Sequence, residues 1–194
     1  MSIPNLITLA RILSVPILVW AIAAGHFFLA FALFLAAGVS DAVDGFLAKR
    51  FGMQSELGAY LDPLADKVLI VSIYVALGIE GHIARWLVIL VVSRDLMIVG
   101  AFLLSWVIGR PIAARPHPVS KANTAAQILL AGLVLAALGF GFDAGLGLPL
   151  SQALARSNWA VVVLLTMAAV ATLTLLSVAF YVRDWVRHMG SAEA

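Results

Sequence analysis

Six long apolar runs organise this chain, at residues 6–24, 27–48, 57–78, 84–108, 122–140 and 158–182. Each is long enough, or nearly so, to cross a hydrocarbon core about 30 Å thick, which takes roughly 20 helical residues. The pattern predicts an all-α integral membrane protein, a six-transmembrane-helix bundle forming a single domain over residues 1–194. Between the fifth and sixth runs, the glycines and Pro149 of GFGFDAGLGLP would break a helix and mark a loop. The first run has no basic segment ahead of it and carries Arg11 inside it, so it is expected to remain in the mature protein rather than be cleaved as a signal peptide.

Composition makes the membrane the default solvent. Of 194 residues, 63% are hydrophobic and 11% charged, with a mean hydropathy of +1.08, whereas about a quarter of the residues in a typical globular protein are charged. The absence of cysteine excludes disulfides, thiolate metal ligands and a cysteine nucleophile. The net charge is only +2, so the basic pI is not a sign of nucleic-acid binding. The position of the basic residues is more telling. With six spans, Lys49, Arg50, Arg110, Arg115, Lys121, Arg183 and Arg187 share one side of the membrane, and Arg85 and Arg156 the other. The positive-inside rule then places both termini and the 49–56 connection in the cytoplasm, at the inner membrane if the cell is bacterial.

Of the ten acids in the chain, four are aspartates within the 26 residues from Asp41 to Asp66. Asp41 and Asp44 are three apart near the end of the second span, and Asp62 and Asp66 four apart early in the third, so each pair lies on one helical face. A short turn makes the two helices antiparallel neighbours, which lets the four carboxylates converge near the cytoplasmic membrane surface. Four anions at membrane depth require cations. Carboxylate oxygens suit Mg²⁺ or Mn²⁺, and two such ions can clamp a phosphate or pyrophosphate for in-line displacement. Gly45, Ala48 and Gly58 border the same faces and allow a ligand close to the backbone. Pairing with Lys49, Arg50 and Lys67 is the plain structural alternative, but three cations do not neutralise four anions.

The run DAVDGFLAKRFGMQSELGAYLDPLAD resembles the signature of the CDP-alcohol phosphotransferases, Asp-x-x-Asp-Gly-x-x-Ala-Arg followed by eight residues and Gly-x-x-x-Asp-x-x-x-Asp. Seven of eight fixed positions are kept, and Lys49 stands where the family usually has arginine, keeping the charge but losing the bidentate fork. The resemblance implies two divalent ions, Mg²⁺ or Mn²⁺, held by Asp41, Asp44, Asp62 and Asp66. It implies a CDP-lipid, CDP-diacylglycerol, bound by Asp41, Asp44 and Asp62 with Gly45, Ala48, Lys49 and Gly58. It also implies Asp66 as the base that deprotonates the acceptor hydroxyl, whose oxygen attacks the β-phosphorus and expels CMP. Similar proteins are often homodimers.

Outside the signature, Asn5, Thr8 and Arg11 recur every three residues and give the first span a polar stripe. This stripe is expected to face the same cavity, with snorkelling of Arg11 to headgroups as the alternative. Arg94 and Asp95 lie mid-run in the fourth span. Adjacent residues project about 100° apart and do not face each other, which favours Arg94 as an acceptor contact over an ion pair. Arg110 and Lys121 flank a basic, proline-rich connection expected to attract anionic headgroups. The four histidines show no ligand spacing and are read as interfacial, as is the tail RDWVRHM. The segments IPNLITLARI, LDPLADKVLI, SRDLMIVGAF and SKANTAAQ are most similar to the cardiolipin-forming branch of the family, implying phosphatidylglycerol as acceptor. The alternative acceptor is glycerol 3-phosphate. An ion or metal transporter is the reading from a different class, since intramembrane acids also mark ion pathways.

Overall fold

The computed structural model describes residues 3–51, 56–107, 118–142 and 158–190, excluding the side chains of 3–5, 47–49, 51, 56–64, 101–107 and 187–190. The described residues form six helices, α1 Ile3–Ala23, α2 Phe27–Phe51, α3 Glu56–Ile79, α4 Arg85–Val107, α5 Pro118–Phe140 and α6 Asn158–Gly190. No strand occurs among them. Four, α1, α2, α5 and α6, contain stretches long and apolar enough to cross a membrane.

Two boundaries differ from the apolar pattern by four residues or more. α5 starts at Pro118 rather than 122, because proline is favoured in a first helical turn, where its missing N–H has no partner to lose. Ser120 and Lys121 thereby become helical. α6 runs on past 182 to Gly190, giving a helix of roughly 50 Å at 1.5 Å per residue, longer than a hydrocarbon core. Its last turns carry Arg183, Asp184 and Trp185.

The ends of α1, α3 and α5 share one device. Gly25, Gly81 and Gly141 have φ of 74°, 79° and 71°. In each case the next residue donates its N–H to a carbonyl five residues back: His26 to Ala21, His82 to Leu77 and Phe142 to Ala137, all at 2.8 Å. This is the Schellman arrangement, which favours glycine at the left-handed position. An aromatic cluster sits at the same end, with Phe140 edge-on to Phe28 and Phe31 at 5.5 and 5.6 Å and Phe142 beside Trp159 at 5.4 Å. Such rings favour the membrane–water boundary.

α1 packs on α2 and α3, α5 on α2 and α6, and α4 on α6. Leu18, Ile22, Ile73, Leu77, Leu87, Leu130 and Leu135 are enclosed between them. The buried residues also include Thr8, Arg11, Asp44, Arg94, Asp95, Asn123 and Gln127, while Leu13, Trp20, Ile89, Leu96 and Leu165 lie on the outside. Charges inside and large apolar side chains outside is the distribution expected of a chain whose solvent is lipid.

Candidate active site

α1 supplies the centre of the site. Arg11 is 3% exposed, and its guanidinium reaches into the seam where α1 meets α2 and α3. Nη1 donates to Asp41 Oδ1 at 2.7 Å and to Asp66 Oδ1 at 2.8 Å. Nη2 donates to Asp44 Oδ2 at 2.8 Å. Asp41 and Asp44 come from one face of α2, as their spacing requires, and Asp66 from α3. Facing helices thus bring acids 22 and 25 residues apart in the chain onto a single cation.

The cluster is partly open. The Arg11 and Asp44 side chains are 1% and 4% exposed, whereas those of Asp41 and Asp66 are 47% and 49% exposed. One guanidinium against three carboxylates leaves two net negative charges. Asp62 lies one turn before Asp66 on α3, with its side chain outside the described residues. Gly45, next to Asp44, has open space where a Cβ would stand, with nothing within 4 Å. Ala48, Lys49 and Gly58 are helical, but their side-chain surroundings fall outside the description. Among the described residues no group of three His, Cys, Asp or Glu is set at metal-holding spacing, and the three aspartates are arranged around Arg11. The donor set nonetheless suits a hard divalent cation. It consists of carboxylate oxygens alone, carries excess negative charge and already surrounds a positive group.

A second polar cluster begins one residue further along α3. Lys67 Nζ donates to Asp95 Oδ1 at 2.6 Å, and Arg94 Nη1 donates to the same oxygen at 2.5 Å. The expectation that neighbours on a helix would not pair is therefore corrected. The long arginine side chain folds back far enough to cross the angular gap between adjacent residues. Arg94 is 1% exposed. Its Nη2 donates to Ser177 Oγ at 2.8 Å and also to Ser120 Oγ, while Nε donates to Ser177 at 3.2 Å. The guanidinium also lies over the Tyr181 ring at 5.9 Å. Protein groups on α4, α5 and α6 thus enclose Arg94. Thr174 donates to Asn123 Oδ1 at 2.9 Å, and the Tyr74 hydroxyl to the Gln127 carbonyl at 3.1 Å. Lys121 is exposed on the first turn of α5, and Arg110 lies outside the described residues.

Sequence reasoning placed Arg11 on a stripe facing the cavity but did not identify it as the partner of the acids. The signal was its position, an arginine two turns into the first span on the same face as Thr8. It overlooked Ser177, Thr174 and Ser120, single hydroxyls that carry no chemical signal until helices bring them opposite a charge. Of the cations weighed as partners for the aspartates, Lys67 pairs instead with Asp95.

These features define a helical, multi-pass membrane protein with a carboxylate–guanidinium site buried at the junction of its first three helices. Residues 1–175 match the CDP-alcohol phosphatidyltransferase family. The chain belongs to that family. It is 36% identical over 161 residues to a protein of Oryza sativa subsp. japonica named CDP-diacylglycerol–glycerol-3-phosphate 3-phosphatidyltransferase 1, chloroplastic, covering 74% of this chain and 49% of that protein. It is also 36% identical over 157 residues to the cardiolipin synthase (CMP-forming) of Rattus norvegicus, covering 73% and 52%. A probable phosphatidylglycerophosphate synthase of Mycobacterium tuberculosis is 37% identical over 101 residues, covering 49% and 48%. The chain spans about half the length of these relatives.

Proposed function

We propose that this protein is a phospholipid-synthesising transferase that moves a phosphatidyl group from CDP-diacylglycerol to an alcohol and releases CMP. The observation that carries the reading is the convergence of Asp41, Asp44 and Asp66, all signature positions, on one point at the α1–α2–α3 seam. Membership of the family supports it, and leaves the transporter alternative without support. Asp41, Asp44, Asp62 and Asp66 would hold two divalent ions, Mg²⁺ or Mn²⁺. When bound, these would neutralise the pyrophosphate and ease departure of CMP. Gly45 leaves room for the nucleotide beside the α2 backbone, with Ala48, Lys49 and Gly58 bordering it. Asp66, half exposed, would take the proton of the acceptor hydroxyl. The acceptor oxygen then bonds to the β-phosphorus as the bond from that phosphorus to the CMP oxygen breaks.

For the acceptor, phosphatidylglycerol, giving cardiolipin, is preferred over glycerol 3-phosphate. A small, nearly dianionic phosphomonoester calls for several fixed cations around a closed pocket. Arg94, the cation in the middle of α4, is enclosed by Asp95, Ser120 and Ser177. The relatives' names include both activities, so the choice rests on the segments outside the signature and on this enclosure. The proposal includes six spans, read from the apolar runs, with both termini and the site on the cytoplasmic side, read from the distribution of lysine and arginine, and a homodimer completes it.

The test is to incubate purified protein with CDP-diacylglycerol, Mg²⁺ or Mn²⁺ and each acceptor in turn, following CMP release and lipid products by mass. Cardiolipin from phosphatidylglycerol is the expected result. Phosphatidylglycerophosphate without cardiolipin overturns the acceptor, and no metal-dependent CMP release with either acceptor overturns the reaction.

A further inference from the structure

We propose that Arg11 is the resident cation of the aspartate cluster, and that divalent metal enters the site by exchange against its guanidinium. The inference rests on the reading above that these aspartates hold metal. It adds a residue outside the signature that competes for the same oxygens.

Three observations lead to it. Asp41 Oδ1 and Asp66 Oδ1, from different helices, meet on the same nitrogen, Nη1, at 2.7 and 2.8 Å. An ion bound by both oxygens at the shorter distances typical of Mg²⁺, about 2.1 Å, would occupy the position of that nitrogen. The two occupants therefore exclude each other. Second, charges of both signs are expensive at membrane depth when unpaired, and here each answers the other. Without a cation the three acids would repel one another, and without the acids a guanidinium 3% exposed would be unpaired. The arrangement keeps the cluster assembled in metal-free protein. Third, the two partners differ in exposure. Arg11 reaches the cluster from α1 with its side chain 1% exposed, while Asp41 and Asp66 remain about half open. An incoming ion thus meets Asp41 and Asp66 first and displaces Nη1 without passing the arginine. Nε of Arg11 is buried with no partner among the described residues, so the side chain is not held at all of its donors.

Exchange gives Arg11 an effect opposite in sign to that of an ordinary site residue. Removing it should tighten metal binding, because the ion no longer breaks charge-assisted hydrogen bonds on entry. It should also weaken the metal-free fold, because three carboxylates lose their counter-charge.

The experiment titrates Mn²⁺ by electron paramagnetic resonance into the full chain in nanodiscs, as wild type, Arg11→Gln and Arg11→Lys. Mn²⁺ should bind Arg11→Gln at least about tenfold more tightly than wild type, with Arg11→Lys between them. In EDTA, Arg11→Gln should unfold at a lower temperature than wild type and gain more from added Mg²⁺. If Arg11→Gln does not fold in EDTA, Arg11→Lys, which keeps the charge but offers fewer fixed donors, carries the affinity comparison. Equal or weaker Mn²⁺ binding in the variants, with wild-type binding intact, overturns the exchange and leaves the metal reading standing. Failure of the wild type to bind Mn²⁺, or binding that survives Asp41→Asn with Asp44→Asn, overturns the metal reading and the exchange with it.

Discussion

Replacing Arg94 by alanine separates two roles for the most enclosed cation among the described residues. In the structure its guanidinium donates to Asp95, Ser120 and Ser177, ties α4 to α5 and α6, and is 1% exposed. Truncation leaves the Asp95 carboxylate, itself 5% exposed, with Lys67 as its remaining cation. Breaking a buried ion pair by removing one partner costs about 3–5 kcal/mol. Lys67 still neutralises Asp95, and hydrogen bonds within membranes are worth less than this range suggests, so the lower end applies. About 3 kcal/mol corresponds to a fall of roughly 6–12 °C in Tm for a chain of this size. Thermal unfolding followed by tryptophan fluorescence in detergent measures it, with acceptor KM determined on the folded fraction. Removing Asp95 as well should be less damaging than the sum of the two single changes, because the double variant buries no unpaired carboxylate and Lys67, 38% exposed, reaches solvent. If Arg94→Ala melts within about 1 °C of wild type while its acceptor KM rises steeply and donor binding is unchanged, Arg94 serves a ligand rather than the bundle.

Three further outcomes follow. Asp66→Asn should keep the fold and CDP-lipid binding but lower turnover at least about 10²-fold, the lower range for general-base catalysis; near-normal turnover removes Asp66 from that role. Gly139→Val should lower the melting temperature by an amount equivalent to about 1–3 kcal/mol, because a Cβ there already meets Phe28 Cα at 3.1 Å and Phe28 N at 3.2 Å, backbone atoms that cannot rotate away. Gly38→Ala is the control, since its Cβ would meet nothing within 4 Å. Burial lowers the pKa of His82 below its ordinary 6.5, partly countered by Glu80. The unfolded chain therefore takes up the proton first, so the stability His82 contributes is full above about pH 6.5 and lost as the pH falls towards its folded value. Melting curves across that range should be flatter for His82→Gln.

Sequence made the helices and the acids legible because each depends on local information. Apolar runs locate the helices, all but the end of α6 within about four residues, and the i, i+3 spacing of Asp41 and Asp44 fixes their shared face whatever surrounds them. Tertiary pairing was only partly legible. Arg11 lies 30 residues from Asp41 and 55 from Asp66, and no periodicity along one helix states which residue on another will oppose it. The Arg94–Asp95 pair was misjudged for a related reason. Projection angle describes where a Cβ points, but a flexible arginine side chain can bend around the helix, and desolvation at membrane depth rewards it for doing so. Ser177 and Thr174 could not be distinguished from the other hydroxyls of α6 until Arg94 and Asn123 were seen opposite them.

The two clusters also constrain each other through consecutive residues of α3. Asp66 points to Arg11 on α1, while Lys67, about 100° further round the helix, points to Asp95 on α4. α3 therefore carries a net negative site on one side and a net positive one on the next, since Lys67 and Arg94 outnumber Asp95. Had the lysine faced the other way, it would have supplied the aspartates with a second cation and reduced the excess negative charge that draws a divalent ion. By holding Lys67 away, Asp95 helps to keep that excess in place. The proposed transferase thus depends on a cationic neighbour being engaged elsewhere as well as on acids being brought together. Asp95→Asn therefore bears on metal affinity at a site it does not touch. With the carboxylate gone, Lys67 is released towards the aspartates, and Mn²⁺ binding should weaken. Unchanged Mn²⁺ affinity in folded Asp95→Asn would show that the two clusters are electrostatically independent.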